Sequence, residues 1–84
     1  MKEFAEIIES LTKIQEDFTV PKNVRAKIKN AISVLQEKNS LAIEVKIDKS
    51  IQELDDVADD PNMPIYTRTQ IWSVVSLLEA INNK

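Results

Sequence analysis

The sequence predicts an all-α protein: a four-helix up-and-down bundle made of two repeated helical hairpins. Three observations carry this expectation. Asp17-x-x-x-Pro21-x-x-x-Arg25-x-x-Ile28 returns forty-three residues later as Asp60-x-x-x-Pro64-x-x-x-Arg68-x-x-Ile71. The register extends back to Ile8/Ile51 and Leu11/Leu54, and forward to Ser33/Ser76 and Leu35/Leu78. A period near forty residues, with proline opening an apolar helical stretch, marks a duplicated helical hairpin. Glycine is absent from all 84 residues, although tight β-hairpins and phosphate-cradling loops depend on its freedom to enter left-handed backbone space. What remains is built largely from Glu, Lys, Leu, Ile, Ala and Gln, a helical composition.

The first helix is expected from about Lys2 to Glu16, because Phe4, Ile7, Ile8, Leu11 and Ile14 fall on one stripe at helical spacing. Asp17 to Val20 is a connector, and Pro21 suits the first position of the next helix, where its missing N–H is not needed. The second helix runs from Pro21 to about Lys38, with Val24, Ile28, Ala31, Ile32 and Leu35 on its inner face. Asn39-Ser40 breaks the pattern and offers Ser40 as an N-cap.

The third helix is the ambiguous element. Residues 43–47 alternate as a strand would, whereas Ile47, Ile51, Leu54 and Ala58 have helical spacing. A lone strand would have no partner, so helix is expected from about Leu41 to Ala58, with a start that could fall several residues later. Pro61 and Pro64 hold the residues before them extended and end that helix. Pro64 then opens the last helix, to about Asn82. Short connections imply antiparallel neighbours, so residues 1–84 read as a single domain with hairpins at about 2–38 and 41–82.

The two halves differ on their outer faces. The second helix carries an apolar stripe about 100° wide, whereas Ile71, Val74, Val75, Leu78 and Ile81 with Leu77 and Trp72 spread the last helix's arc to about 220°. At repeat-equivalent positions Lys22 becomes Ile65, Asn23 becomes Tyr66, Lys29 becomes Trp72 and Lys38 becomes Ile81. Either the last helix is the most enclosed in the monomer, or part of its arc faces a partner. The enclosed arrangement is favoured.

Composition removes several classes of chemistry. Without cysteine there is no disulfide, thiolate nucleophile or sulfur-bound zinc. Without histidine the commonest metal ligand and neutral-pH proton carrier are missing. A formal charge of −3 disfavours nucleic acid as a general ligand. No apolar run is long enough for a membrane span and no signal peptide precedes the first helix, so the cytoplasm is the expected compartment.

Four groups of residues remain as candidates. Asp17/Arg25 and Asp60/Arg68 are expected to form a structural clamp: each Asp near the unpaired N–H groups of the following helix, each Arg reaching back to it. Reservation of an Arg for an anionic ligand is the disfavoured alternative. Asp55, Asp56, Asp59 and Asp60 have oxygen-ligand spacing for Mg²⁺ or Ca²⁺, but lack a calcium loop's alternating ligands and glycine turn, so a solvated helix end is preferred and no metal or cofactor is assigned. Lys22, Arg25, Lys27 and Lys29 spread around the helix with no interleaved aromatics for base stacking, and read as a solvated basic face. Trp72 with Ile65 and Tyr66 is the one concentrated aromatic feature, equally suited to core and to a binding hot spot.

The run Asp60-Pro61-Asn62-Met63-Pro64-x-Tyr66-x-Arg68-x-x-Ile71-Trp72-x-x-Val75-Ser76-x-Leu78-Glu79-Ala80-Ile81 resembles the C-terminal signature of uncharacterised protein family 0147. Val20-Pro21-x-Asn23-Val24-Arg25 is similar to its companion motif, so the resemblance spans nearly the whole chain. It implies an archaeal four-helix up-and-down bundle with no assigned activity, and carries over no functional residues. Residues 40–48 depart most from the pattern. The expected role is therefore a non-enzymatic interaction or scaffold module, with a protein partner that includes a second copy of the chain and with Trp72, Ile65 and Tyr66 at the contact. An accessory role beside nucleic acid or ribonucleoprotein is the alternative, and a metal-dependent hydrolase on the acidic cluster ranks third.

Overall fold

The computed structural model describes residues 2–37 and 41–82. They form four helices in chain order: α1 Lys2–Gln15, α2 Lys22–Gln36, α3 Ile43–Ala58 and α4 Ile65–Asn82. Each helix packs on its sequence neighbours, and α1 also meets α4, closing a ring around one core. No strand occurs among the described residues, and none of their helices is long and apolar enough to cross a membrane.

The core is a set of repeat-equivalent pairs. Leu11/Leu54, Ile14/Val57, Val20/Met63, Val24/Thr67, Ile28/Ile71, Ala31/Val74, Ile32/Val75 and Leu35/Leu78 are buried in both copies. Ile7 pairs in the same register with Ser50, and both are buried. Ser50 lies beside Ala31, donating its hydroxyl to the Ala31 carbonyl at 3.4 Å. Two small buried residues at that crossing let α2 and α3 approach closely, and the hydroxyl finds an acceptor instead of being stranded.

Helix limits differ from expectation at both helix-opening prolines and at the end of α1, each for a local reason. Pro21 is the N-cap of α2, with φ −55° and ψ 146°, so it stands one residue outside the helix. Its carbonyl still accepts the first helical bond, from Arg25 N–H at 3.0 Å, and Pro64 does the same for Arg68 at 3.1 Å. α1 stops at Gln15 because Asp17 N–H turns back onto Ile14. α3 begins at Ile43, within the later start the sequence allowed, since Ala42 is extended at ψ 152° and has no capping side chain. The proposed Ser40 cap and the Lys38 end of α2 lie outside the described residues.

The alternation at 43–47 is resolved as helix, with Ile47 buried and Ile43 and Val45 exposed. The largest correction concerns α4. It is not the most enclosed helix, because its widened arc remains in solvent: Ile65 is 78%, Tyr66 72%, Trp72 53% and Leu77 51% exposed. A helix in a four-membered ring meets only two neighbours, which cover the narrow stripe of Thr67, Ile71, Val74, Val75 and Leu78.

Ile28 and Ile71 are fully buried at equivalent positions. Ile28→Ala and Ile71→Ala should each remove about 2–5 kcal/mol of stability by chemical denaturation. A loss well below that range at either site would contradict a shared core.

Candidate functional site

The two connectors fold alike. In the first, Asp17 N–H bonds the Ile14 carbonyl, Val20 N–H bonds the Asp17 carbonyl, and Thr19 N–H bonds Asp17 Oδ1 at 2.9 Å. In the second, Asp60 N–H bonds Val57, Met63 N–H bonds Asp60, and Asn62 N–H bonds Asp60 Oδ1 at 2.8 Å. Each aspartate therefore forms an Asx turn within its own connector. That differs from the expected cap on the following helix, because the N–H groups two residues on lie nearer than those of the next helix.

The arginines differ between copies. Arg68 donates an Nη2 hydrogen bond to the Asp60 backbone carbonyl at 3.0 Å, so it fastens the connector through the main chain instead of the carboxylate. Among the described residues the Arg25 side chain makes no hydrogen bond; its guanidinium lies over the Phe18 ring, 5.3 Å from the centroid. Phe18 is 87% exposed and was not singled out by the sequence, because it stands in a connector outside every helical stripe and its repeat equivalent is Pro61.

The acidic cluster divides in two. Asp60 Oδ2 accepts from Asn23 Nδ2 at 3.1 Å, and Asp56 Oδ2 pairs with Lys27 Nζ at 3.3 Å. The Lys27–Asp56 pair joins antiparallel α2 and α3, and the Asn23–Asp60 bond joins the start of α2 to the connector just past the end of α3. Asp55 and Asp59 point to solvent, and among the described residues no group of three or more candidate ligands gathers around a metal position. The equivalent of Asn23 and Lys27 in the second copy is Tyr66 and Gln70, which bond each other at 3.3 Å instead of the neighbouring helix. Accordingly α1 and α4 share the sparsest seam of the ring.

The basic residues also separate, correcting the expectation that they spread around the helix. Lys27 faces α3. Lys22, Arg25 and Lys29 follow one stripe and, with Gln15 and Ala26, line an open cleft of about 340 Å³ beside the end of α1.

The outer face of α4 combines two apolar edges with a narrow seam. Ile65 and Trp72 lie on one edge, Tyr66 and Leu77 on the other, and the exposed small residues Thr69, Ser73, Ser76 and Ala80 run between them. Arg68 and Glu79 are the only charged residues of this helix.

The repeated connectors, the matched core and the proline-started helices can be compared with known proteins. The sequence profile of an uncharacterised protein family, UPF0147, matches residues 1–81. The chain belongs to that family. Relatives include the UPF0147 protein of Sulfurisphaera tokodaii, 42% identical over 87% of this chain and 81% of its own length. The UPF0147 protein MJ1419 of Methanocaldococcus jannaschii is 44% identical over 84% of this chain and 75% of that one. The crystal structure of the unknown-function protein MMP1188 superposes with a TM-score of 0.86 at 47% identity, covering 92% of this chain and 86% of that one. UPF0147 relatives occur in archaea and carry no functional name, so site roles must come from geometry.

Two outcomes test the connectors. Arg68→Met should cost about 1–2 kcal/mol by thermal unfolding, because a charged donor leaves the Asp60 carbonyl; Arg25→Met, with no hydrogen bond to a described residue to lose, should cost clearly less. Equal losses would refute the distinction. The Thr19 hydroxyl and N–H hold the Asp17 carboxyl below its ordinary value, and the Asn62 N–H with the Asn23 amide does so for Asp60. A carboxyl depressed in the folded state stabilises above its unfolded value, about pH 4, and loses that contribution as pH falls through the folded value. The Asp17→Asn/Asp60→Asn variant keeps the turn acceptor but cannot titrate there. Its acid unfolding limb should be shallower than that of the parent, and identical limbs would contradict the assignment.

Proposed function

We propose that this protein is a cytoplasmic, non-enzymatic interaction module that associates with a second copy of itself through the outer face of α4. The observation that supports this reading is the four-residue apolar surface of Ile65, Tyr66, Trp72 and Leu77, left exposed on a helix with two charged residues. Thr69, Ser73, Ser76 and Ala80 recur at spacings of four, three and four, the alternation of a helix seam that meets another helix. Small residues there permit close backbone approach, and the flanking Trp72 and Leu77 can close over the sides. A face with almost no charge is self-compatible, since its twofold copy meets no like-charge repulsion.

The magnitudes make the dimer weak. Covering the exposed parts of these side chains in both copies is worth on the order of 10 kcal/mol, against an association cost of about 4–15 kcal/mol. Sedimentation velocity over a concentration series should show a reversible dimer in the micromolar range or weaker. Trp72→Glu and Leu77→Glu should abolish it while leaving helicity and thermal unfolding of the monomer intact, because neither residue is in the core. A parent chain that remains monomeric throughout the series, or a dimer indifferent to both substitutions, would reject the reading.

A further inference from the structure

The face of α2 equivalent to the α4 surface has the opposite chemistry, and its side chains gather around a concavity. Lys22, Arg25, Ala26 and Lys29 line the cleft beside Gln15; their repeat counterparts are Ile65, Arg68, Thr69 and Trp72. Spacings of three and four residues align the three cations over about 10 Å of helix. Lys13 and Lys27 each have a carboxylate partner, Glu9 and Asp56, whereas among the described residues no ion pair or hydrogen bond engages the amino groups of Lys22 and Lys29.

Arg25 sharpens the contrast. Both arginines bury an Nε with no partner among the described residues, but Arg68 commits its Nη2 to the Asp60 carbonyl, whereas the side chain of the equivalent Arg25 makes no hydrogen bond to a described residue. Its contact with Phe18 is to the ring face and uses none of its N–H donors. Asp17 feels the charge of Arg25 but is bonded to Thr19. The first turn of α2 contains no acidic residue and Pro21 provides no side-chain cap, so Lys22 and Arg25 reinforce the positive end of the helix dipole, which no acidic residue within that turn offsets. Three aligned cations in an acidic protein thus repel one another along one side of an open cleft, and an anion would relieve that repulsion.

We propose that the cleft between the end of α1 and the first two turns of α2 binds a phosphate-type oxyanion through Lys22, Arg25 and Lys29. Planar guanidinium donors and flanking ammonium groups match the tetrahedral oxygens of a phosphoryl group. The same chemistry is offered by a free phosphate compound and by the backbone of a nucleic-acid strand.

The test uses the full chain in low-salt buffer, titrated separately with pyrophosphate and with a single-stranded oligonucleotide, and read by amide shifts, the Arg25 Nε–H resonance and calorimetry. Saturable shifts confined to residues 15–29 and the Arg25 resonance are expected in at least one arm. Lys22→Gln/Lys29→Gln should weaken that binding by about tenfold or more, with Lys49→Gln as an unaffected surface control. Binding in the pyrophosphate arm identifies a free phosphate as sufficient. Binding only in the oligonucleotide arm, with strong salt dependence, identifies a strand as the source. Silence in both arms, shifts dispersed over all the lysines, or binding unchanged in the double variant would overturn the proposal.

Discussion

The bundle depends on an aspartate turning the chain without left-handed backbone. At Asp17 and again at Asp60, the carboxylate takes the N–H two residues on and the carbonyl takes the N–H three residues on. A proline, Pro21 or Pro64, then stands just before the next helix and accepts its first backbone bond. No described residue has positive φ, so the absence of glycine becomes intelligible: the turn that glycine would relax is made by a side-chain acceptor and a fixed proline torsion. The result limits unfolded-chain entropy in a domain too small for a generous core. Both connectors lie at one end of the bundle, where α1 and α3 finish and α2 and α4 begin.

With that end fixed, the inner faces must agree between copies and the outer faces need not. Residues in the same register are buried in both hairpins, from Leu11/Leu54 to Leu35/Leu78. The exchange of Ile7 for Ser50 and of Val24 for Thr67 shows how much the packed positions tolerate: Thr67 keeps the size of Val24, whereas Ser50 is much smaller than Ile7 and its hydroxyl meets a carbonyl. The seams respond to single side chains. Asn23 and Lys27 tie α2 to α3 and to the connector just past its end, while Tyr66 and Gln70 turn to each other and leave α1 and α4 less closely joined.

Helix identity and the buried stripe were legible because both depend on spacing alone: Val24, Ile28, Ala31, Ile32 and Leu35 could be read from period and are all enclosed. Family membership was legible from the run beginning at Asp60. The surface was harder. A stripe's width does not reveal how many neighbours will cover it, so α4 read as enclosed although the ring leaves Trp72 and Ile65 outside. Phe18 carried no periodic signal. Lys27 and Lys29 differ by two residues, nearly opposite sides of a helix, and only the position of α3 shows which of them finds an acid. Arg25 and Arg68 are indistinguishable in the motif, since their separation depends on whether a carbonyl or an aromatic ring lies within reach.

The divergence of the outer faces is more informative than either face alone. One duplicated hairpin supplies both, so packing requirements at Lys22 and Ile65, or at Lys29 and Trp72, begin the same. Neither substitution is demanded by the core, which is satisfied in both copies. An exposed tryptophan beside exposed Ile, Tyr and Leu is a solubility liability, and aligned cations at a helix start oppose its dipole. Each face thus departs from the neutral, mixed-charge surface that would serve a simple bundle, and the departures have opposite chemistry on two helices that do not touch. Folding explains the similarity of the hairpins, and it places no demand on the chemistry that separates their outer surfaces.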